Sequence, residues 1–274
     1  MYLENKVALI TGASKGIGKT LAFDLAAEKA KVVLIARSEK ELQEISAEIK
    51  QKGGDCLFFV GNVSDESFVE QIISETLTHF GQIDFMVNNA GFGIFKRAEE
   101  ITSAEWDEIY ETNVKGTFLF SKAVLPFMKE KQAGHIINIA SDVAKRVFDG
   151  GSLYCSSKYA QDAFSMALRK EVREYGIKVY TIGLGTNGMA EFPYAYAPNG
   201  GFLFRMMPVE IDEALMKSIA KKTDGKYFRA TSNSKLKEIY EEINKLETTE
   251  IEEQKFYNFD EKFRPFVWIA GLLL

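Results

Sequence analysis

Six short apolar runs alternate with longer stretches of helical periodicity: KVALIT at 6–11, KVVLIA at 31–36, CLFFVG at 56–61, IDFMVN at 83–88, HIINIA at 135–140 and IKVYTIG at 177–183. Each run is too short for a helix and apolar at nearly every position. A strand of that kind is buried on both faces, which requires a layer of helices on each side of the sheet. The intervening segments supply them, with helices expected over 19–30, 38–52, 65–80, 103–130 and 153–175. Right-handed crossovers between parallel strands then give an α/β fold, a doubly wound, Rossmann-like parallel sheet in three layers. The chain has 274 residues, enough for one large domain of this type or for one domain with a small appendix. No linker, internal repeat or low-complexity segment interrupts the first 183 residues.

The stretch TGASKGIG at 11–18 lies between the first strand and the first helix. Gly12, Gly16 and Gly18 let the backbone turn tightly and approach a pyrophosphate, with Ser14, Lys15 and Ile17 completing the loop. The helix start then offers free N–H groups and a partial positive charge to the phosphates. The plain alternative is a tight strand–helix turn, and the placement of the loop favours nucleotide binding. The end of the second strand bears on which nucleotide. A cofactor without a 2′-phosphate usually meets a carboxylate there. This chain has Ala36 and Arg37, with Lys15 nearby in the glycine loop. Two cations and no carboxylate suit a 2′-phosphate, so NADP is expected over NAD. The competing reading makes both residues solvated surface cations.

LYCSSKYA places Tyr154 and Lys158 four residues apart, on one face of a helix. A phenol titrates near pH ~10 and is a poor base at neutral pH. A cation about 4 Å away contributes roughly 4 kcal/mol at an effective dielectric of about 20, or about three pKa units. Lys158 would thereby bring Tyr154 into range as a general acid–base. Taken alone, the pair is also compatible with an ordinary helix surface.

Together with NNAG at 88–91, TNVKG at 112–116, IASDVA at 139–144 and YCSSK at 154–158, the glycine loop makes residues 1–183 resemble the short-chain dehydrogenase/reductase family. The resemblance implies an oxidoreductase that moves a hydride between NADPH and a carbonyl or alcohol substrate. Tyr154 would exchange a proton with the substrate oxygen. Lys158 would hold the nicotinamide ribose and depress the tyrosine. Ser141 would hydrogen-bond the carbonyl, and Asn113 would hold a water that relays protons to Lys158. Asn89, Ala90 and Gly91 would line the cofactor, with Asn62 and Val63 at the adenine, where the family often has Asp-Val. No metal is implied. Phe92, Ile94, Phe95, Val147 and Phe148 fall where substrate would bind and suggest a partly apolar one, though core packing explains them almost as well.

After residue 183 the texture changes. Leu184-Gly185 stands in place of the family's Pro-Gly turn. Asn199-Gly200 between apolar and aromatic runs signals a hairpin, followed by an expected helix ending at Gly225, an edge strand KYFRA and a helix over 233–247. Residues 184–247 resemble the end of a von Willebrand factor A domain of the bacterial aerotolerance type, which would complete the sheet. That family's Asp-x-Ser-x-Ser metal motif does not occur in the chain. Residues 248–274 form a tail ending RPFVWIAGLLL, too short for a spanning helix of ~20 residues. It reads either as a segment docked on the body or on another subunit of a homo-oligomer, or as the start of a membrane helix. Three functions stand: an active NADPH-dependent reductase, a chimeric nucleotide-binding scaffold with impaired catalysis, and a von Willebrand-type interaction module. A net charge of −5 gives a nucleic-acid partner no electrostatic support. Cys56 and Cys155 match no disulfide or zinc spacing, and no signal peptide precedes the first strand, so a cytoplasmic setting is expected.

Overall fold

The structure is a computed structural model that describes residues 3–144, 147–182, 188–196 and 202–209. Six strands form one sheet: β1 (Val7–Thr11), β2 (Lys31–Ala36), β3 (Cys56–Val60), β4 (Phe85–Asn88), β5 (Gly134–Ile139) and β6 (Ile177–Ile182). All pair in parallel in the order β3-β2-β1-β4-β5-β6. The order reverses between β1 and β4. That opens a crevice at the carboxyl ends of these two strands, where such sheets bind ligands.

The strands are continuously apolar because both faces are covered. Successive residues of β1 point to opposite sides. Val7 and Leu9 join one core with Val69 and Ile72 of α3 (Glu66–Phe80), Phe120 and Val124 of α5 (Gly116–Lys131) and Leu168 of α6 (Ser152–Val172). Ile10 joins a second core with Ala22 of α1 (Gly16–Ala27) and Leu42, Ile45 and Ile49 of α2 (Glu39–Gln51). These are the expected three layers.

The helix expected over 103–130 is interrupted. It consists of α4 (Ser103–Tyr110), a π-helical turn (Glu111–Lys115) and α5. Thr102 caps α4, accepting from the Glu105 N–H at 3.2 Å while the Glu105 carboxylate accepts from the Thr102 N–H at 3.0 Å. The π turn breaks the 3.6-residue period within a segment that sequence periodicity reads as continuous. Such turns concentrate at functional sites, and this one carries Asn113.

The chain divides into two compact units, Met1–Gly185 and Thr186–Leu274. In the second, β7 (Gly188–Tyr196) and β8 (Phe202–Val209) pair antiparallel, the hairpin that Asn199-Gly200 signals. The register slips between Pro193 and Ala195, at a residue with no N–H for a ladder. The hairpin turn itself, the helix ending at Gly225, KYFRA, the helix over 233–247 and the apolar end lie outside the described residues. Among the described residues, no helix is long and apolar enough to cross a membrane, and no cluster of three or more His, Cys, Asp or Glu could hold a metal.

Candidate active site

The glycine loop follows β1 directly. Gly12 and Gly16 adopt φ of 67° and 55°, a left-handed backbone that side chains disfavour. Gly18 is required for a different reason. A Cβ there would lie 2.4 Å from the Gly12 carbonyl oxygen and 2.6 Å from Asn89 Nδ2. The start of α1 has neither a side-chain cap nor an acidic residue in its first turn, and Lys15 occupies the capping position. Its first N–H groups are thus left for a ligand. A Cβ on Gly16 would meet nothing within 4 Å, so the loop borders open space.

Asn89 ties this loop to the end of β4. Its Nδ2 donates to the Thr11 and Gly12 carbonyls at 3.0 and 3.2 Å. Thr11 Oγ1 accepts from the Asn89 and Ala90 N–H groups, both at 3.0 Å, and donates to the Val87 carbonyl at 3.3 Å. One buried hydroxyl therefore fixes both sides of the crevice. The sequence reading singled out Asn89 and Ala90 but missed Thr11, whose strand-end position is the only signal for it.

Gly91 then brings the chain past Asn113 and Lys158. A Cβ at Gly91 would lie 3.1 Å from Asn113 Oδ1 and 3.4 Å from Lys158 Nζ. Asn113 is fully buried. Its Oδ1 accepts from the Phe92 N–H at 3.1 Å, and its Nδ2 donates to the Phe92 carbonyl and to Ser157 Oγ, both at 3.0 Å. Ser157 Oγ donates in turn to the Tyr154 carbonyl at 2.8 Å. The π turn, the loop after β4 and the first turns of α6 are thus joined through one amide.

Lys158 is 4% exposed, and its Nζ donates to the Ile139 carbonyl at 3.1 Å and Gln161 Oε1 at 3.0 Å. Both acceptors are neutral. Burial therefore holds its pKa down, at about 8. The Nζ lies 6.0 Å from the centroid of the half-buried Tyr154 ring. Behind Lys158 runs a buried polar chain that the sequence reading did not find. Gln161 Nε2 donates to Thr117 Oγ1 at 2.9 Å, and Thr117 Oγ1 donates to the Asn113 carbonyl at 3.0 Å. Ser165 Oγ donates to the Gln161 carbonyl at 2.6 Å and accepts from Asn138 Nδ2 at 2.7 Å, while Asn138 Oδ1 accepts from Asn88 Nδ2 at 2.8 Å. Spacing hints at these partners only in retrospect: Gln161 lies one turn beyond Lys158, and Thr117 one turn beyond Asn113.

Ser141 follows β5, and its Oγ accepts from the Val143 N–H at 3.4 Å. Arg37 lies just past β2 and is exposed, its Nη1 4.0 Å from Glu108 Oε1. An exposed pair of that length is weak and leaves the guanidinium available. Asn62 is exposed, and its Oδ1 accepts from the Ser64 N–H at 3.1 Å. Val63 is buried, where a Cβ on Gly116 would approach its Cγ2 to 2.7 Å. Cys56 and Cys155 are buried and form no disulfide. His79 packs edge-on against Phe80, and His135 lies between Phe85 and Tyr180.

The family model for short chain dehydrogenases matches residues 6–190. The chain belongs to the short-chain dehydrogenase family. This short-chain dehydrogenase is 34% identical over 218 residues to an uncharacterised oxidoreductase of Staphylococcus saprophyticus, covering 79% of this chain and 92% of that one. It is 37% identical over 185 residues to the 3-oxoacyl-[acyl-carrier-protein] reductase of Escherichia coli, covering 68% of this chain and 75% of that protein. Among solved structures, a metagenomic short-chain oxidoreductase in complex with NADP superposes with a TM-score of 0.65 at 32% identity, over 68% of this chain and 85% of that one. An NAD+-bound xylitol dehydrogenase gives 0.66 at 30% identity, over 69% and 73%. The family match and the 218-residue alignment both run past residue 183, where sequence reading ends the resemblance. The chain is thus an oxidoreductase by family, with relatives that bind either nicotinamide cofactor.

Proposed function

We propose that the protein is an NADPH-dependent carbonyl reductase or alcohol dehydrogenase that uses Ser141, Tyr154 and Lys158. The observation that carries the reading is Lys158, a buried ammonium beside the Tyr154 ring with only neutral oxygens as acceptors. A lone buried cation is costly and is kept where an anion or a developing negative charge will meet it.

The loop fits a dinucleotide. Gly12 and Gly18 admit no Cβ, the start of α1 offers uncapped N–H groups, and Gly91 exposes backbone beside Lys158. When bound, NADPH supplies the hydride. Ser14, Lys15, Gly16 and Ile17 would hold the pyrophosphate, with Asn62 and Val63 at the adenine and Asn89, Ala90 and Gly91 along the nicotinamide half. Arg37 and Lys15 would grip the 2′-phosphate, since no carboxylate stands at the end of β2. The NADP-bound neighbour supports this choice and the NAD+-bound one shows the alternative within the family.

At the substrate, Ser141 Oγ would donate to the carbonyl oxygen and orient it. Tyr154 would deliver its phenolic proton to that oxygen as charge develops. Lys158 would stabilise the tyrosinate left behind and contact the ribose hydroxyls. Asn113 already uses both amide hydrogens and one lone pair of Oδ1. A relay water would use the lone pairs that remain on its two oxygens.

Residues up to Lys158 would hold the cofactor, whereas closure over substrate depends on the chain beyond residue 183. Leu184-Gly185 in place of the family's Pro-Gly favours cofactor binding that outlasts efficient turnover. A misplacement of about 1 Å can cost on the order of a hundredfold in rate. The test is Tyr154→Phe. Turnover of a panel of ketones and aldehydes with NADPH should fall by at least about a hundredfold, as general acid–base catalysis supplies. Affinity for NADPH should not change. Unchanged turnover in the variant would refute the mechanism.

A further inference from the structure

The loop after β4 and the segment entering α6 each bring one phenyl ring to the same place. The Phe95 centroid lies 5.4 Å from that of Tyr154, crossing it at 76°, and 5.7 Å from that of Phe148, at 46°. All three rings are half-buried, so one side of the group remains open. Each phenylalanine stands over a glycine. A Cβ on Gly93 would come within 2.6 Å of the Phe95 ring, and one on Gly151 within 2.7 Å of the Phe148 ring. Two absent side chains thus seat the two rings.

The Phe95 loop is also pinned from behind. Lys96 Nζ pairs with Glu105 Oε1, and that carboxylate accepts from Thr102 Oγ1 at 3.1 Å. These bonds hold the Glu105 pKa down at about 2, Lys96 contributing most. On its other flank Phe148 lines a surface depression with Arg97, Val147, Asp149 and Ser152. The lining sets Arg97 against Glu99 and Asp149, a net negative balance that disfavours an anionic group. Val147, 75% exposed, adds an uncovered apolar branch.

We propose that Phe95 and Phe148 determine specificity, forming an aromatic wall beside the Tyr154 phenol that takes carbonyl or alcohol compounds bearing an aryl or branched apolar substituent. The proposal rests on Tyr154 being the proton donor, since that fixes where the substrate oxygen lies. Edge-to-face packing and apolar burial would favour a phenyl substituent over a methyl by about tenfold or more. A wall of phenyl rings offers a small polyhydroxylated substrate no hydrogen bonds.

Equilibrium binding tests this without requiring turnover. Dissociation constants of 1-phenylethanol and 2-propanol are measured for the full-length protein with saturating NADPH, with which an alcohol forms a non-reacting complex, in wild type, Phe95→Ala and the volume-retaining Phe95→Leu and Phe148→Leu. The wild type should favour the phenyl compound by at least about tenfold, and Phe95→Ala should abolish most of that preference. Both leucine variants should reduce it severalfold while NADPH affinity, which depends on other residues, stays constant and reports an intact fold. No phenyl preference in the wild type, or an undiminished one in variants with normal NADPH affinity, overturns the proposal. A wild type that prefers 1-phenylethanol but shows equal turnover in Tyr154→Phe would remove the proton-donor reading and leave the wall standing.

Discussion

Lys158→Met replaces a buried ammonium with an apolar side chain of similar length. In the folded protein, burial lowers the lysine pKa from 10.5 to about 8. A depression of that size corresponds to about 3 kcal/mol of stability withheld while the amine is charged. The folded value lies below the unfolded one, so the full penalty applies below about pH 8 and is relieved as pH rises toward 10.5. The stability of wild type relative to Lys158→Met should therefore rise by about 2 kcal/mol between about pH 7 and about pH 10. Losing the bonds to the Ile139 carbonyl and Gln161 Oε1 leaves two buried acceptors unpaired in the variant. That shifts the difference by a constant and leaves its slope with pH unchanged. Urea unfolding of both full-length proteins in a Tyr154→Phe background, followed by far-UV circular dichroism across this range, measures the slope; without the phenol beside Lys158, titration of the remaining groups cancels in the comparison. A difference that does not vary with pH would refute the burial argument.

Thr11→Val removes the oxygen that accepts from Asn89 and Ala90. It should cost about 1–3 kcal/mol in unfolding free energy and weaken NADPH binding, while Thr11→Ser restores both; equal stability of the valine variant would contradict the role assigned to the hydroxyl. Gly18→Ala places a methyl 2.4 Å from the Gly12 carbonyl oxygen, a backbone atom that cannot turn aside. Thermal unfolding should show a loss of about 1–3 kcal/mol and fluorescence titration a loss of NADPH affinity, whereas an unperturbed alanine variant would show that the loop is less tightly seated.

The sheet was legible because its strands are apolar at consecutive positions, as in Val7 through Ile10, and only a doubly covered parallel sheet buries such a run. Glycine spacing made the tight loop between β1 and α1 legible because Gly12 and Gly16 hold backbone conformations that other residues disfavour. Tyr154 and Lys158 were legible through helical spacing, but the lysine's surroundings were not. Gln161, Thr117, Ser157 and Thr11 are ordinary residue types, and they acquire meaning only when the sheet brings distant segments within hydrogen-bonding range. The π turn at Glu111–Lys115 was hidden because its residues have unexceptional helical character, and tertiary bonds from Asn113 to Phe92 and Ser157 accompany it. The aromatic trio shows the same limit. Phe95, Phe148 and Tyr154 lie far apart in sequence, and only Gly93 and Gly151 beside them hint that rings need room.

In the proposed function, residues through Lys158 would hold a dinucleotide, and the cations at Lys15 and Arg37 would favour a 2′-phosphate. The decisive measurement is a fluorescence titration of the full-length protein with NADPH and NADH in the same buffer. One charge-assisted hydrogen bond to the phosphate contributes about 1.5–3 kcal/mol, so NADPH should bind in the micromolar range and at least about tenfold more tightly than NADH. Equal affinities, tighter binding of NADH, or no binding of either would contradict the account.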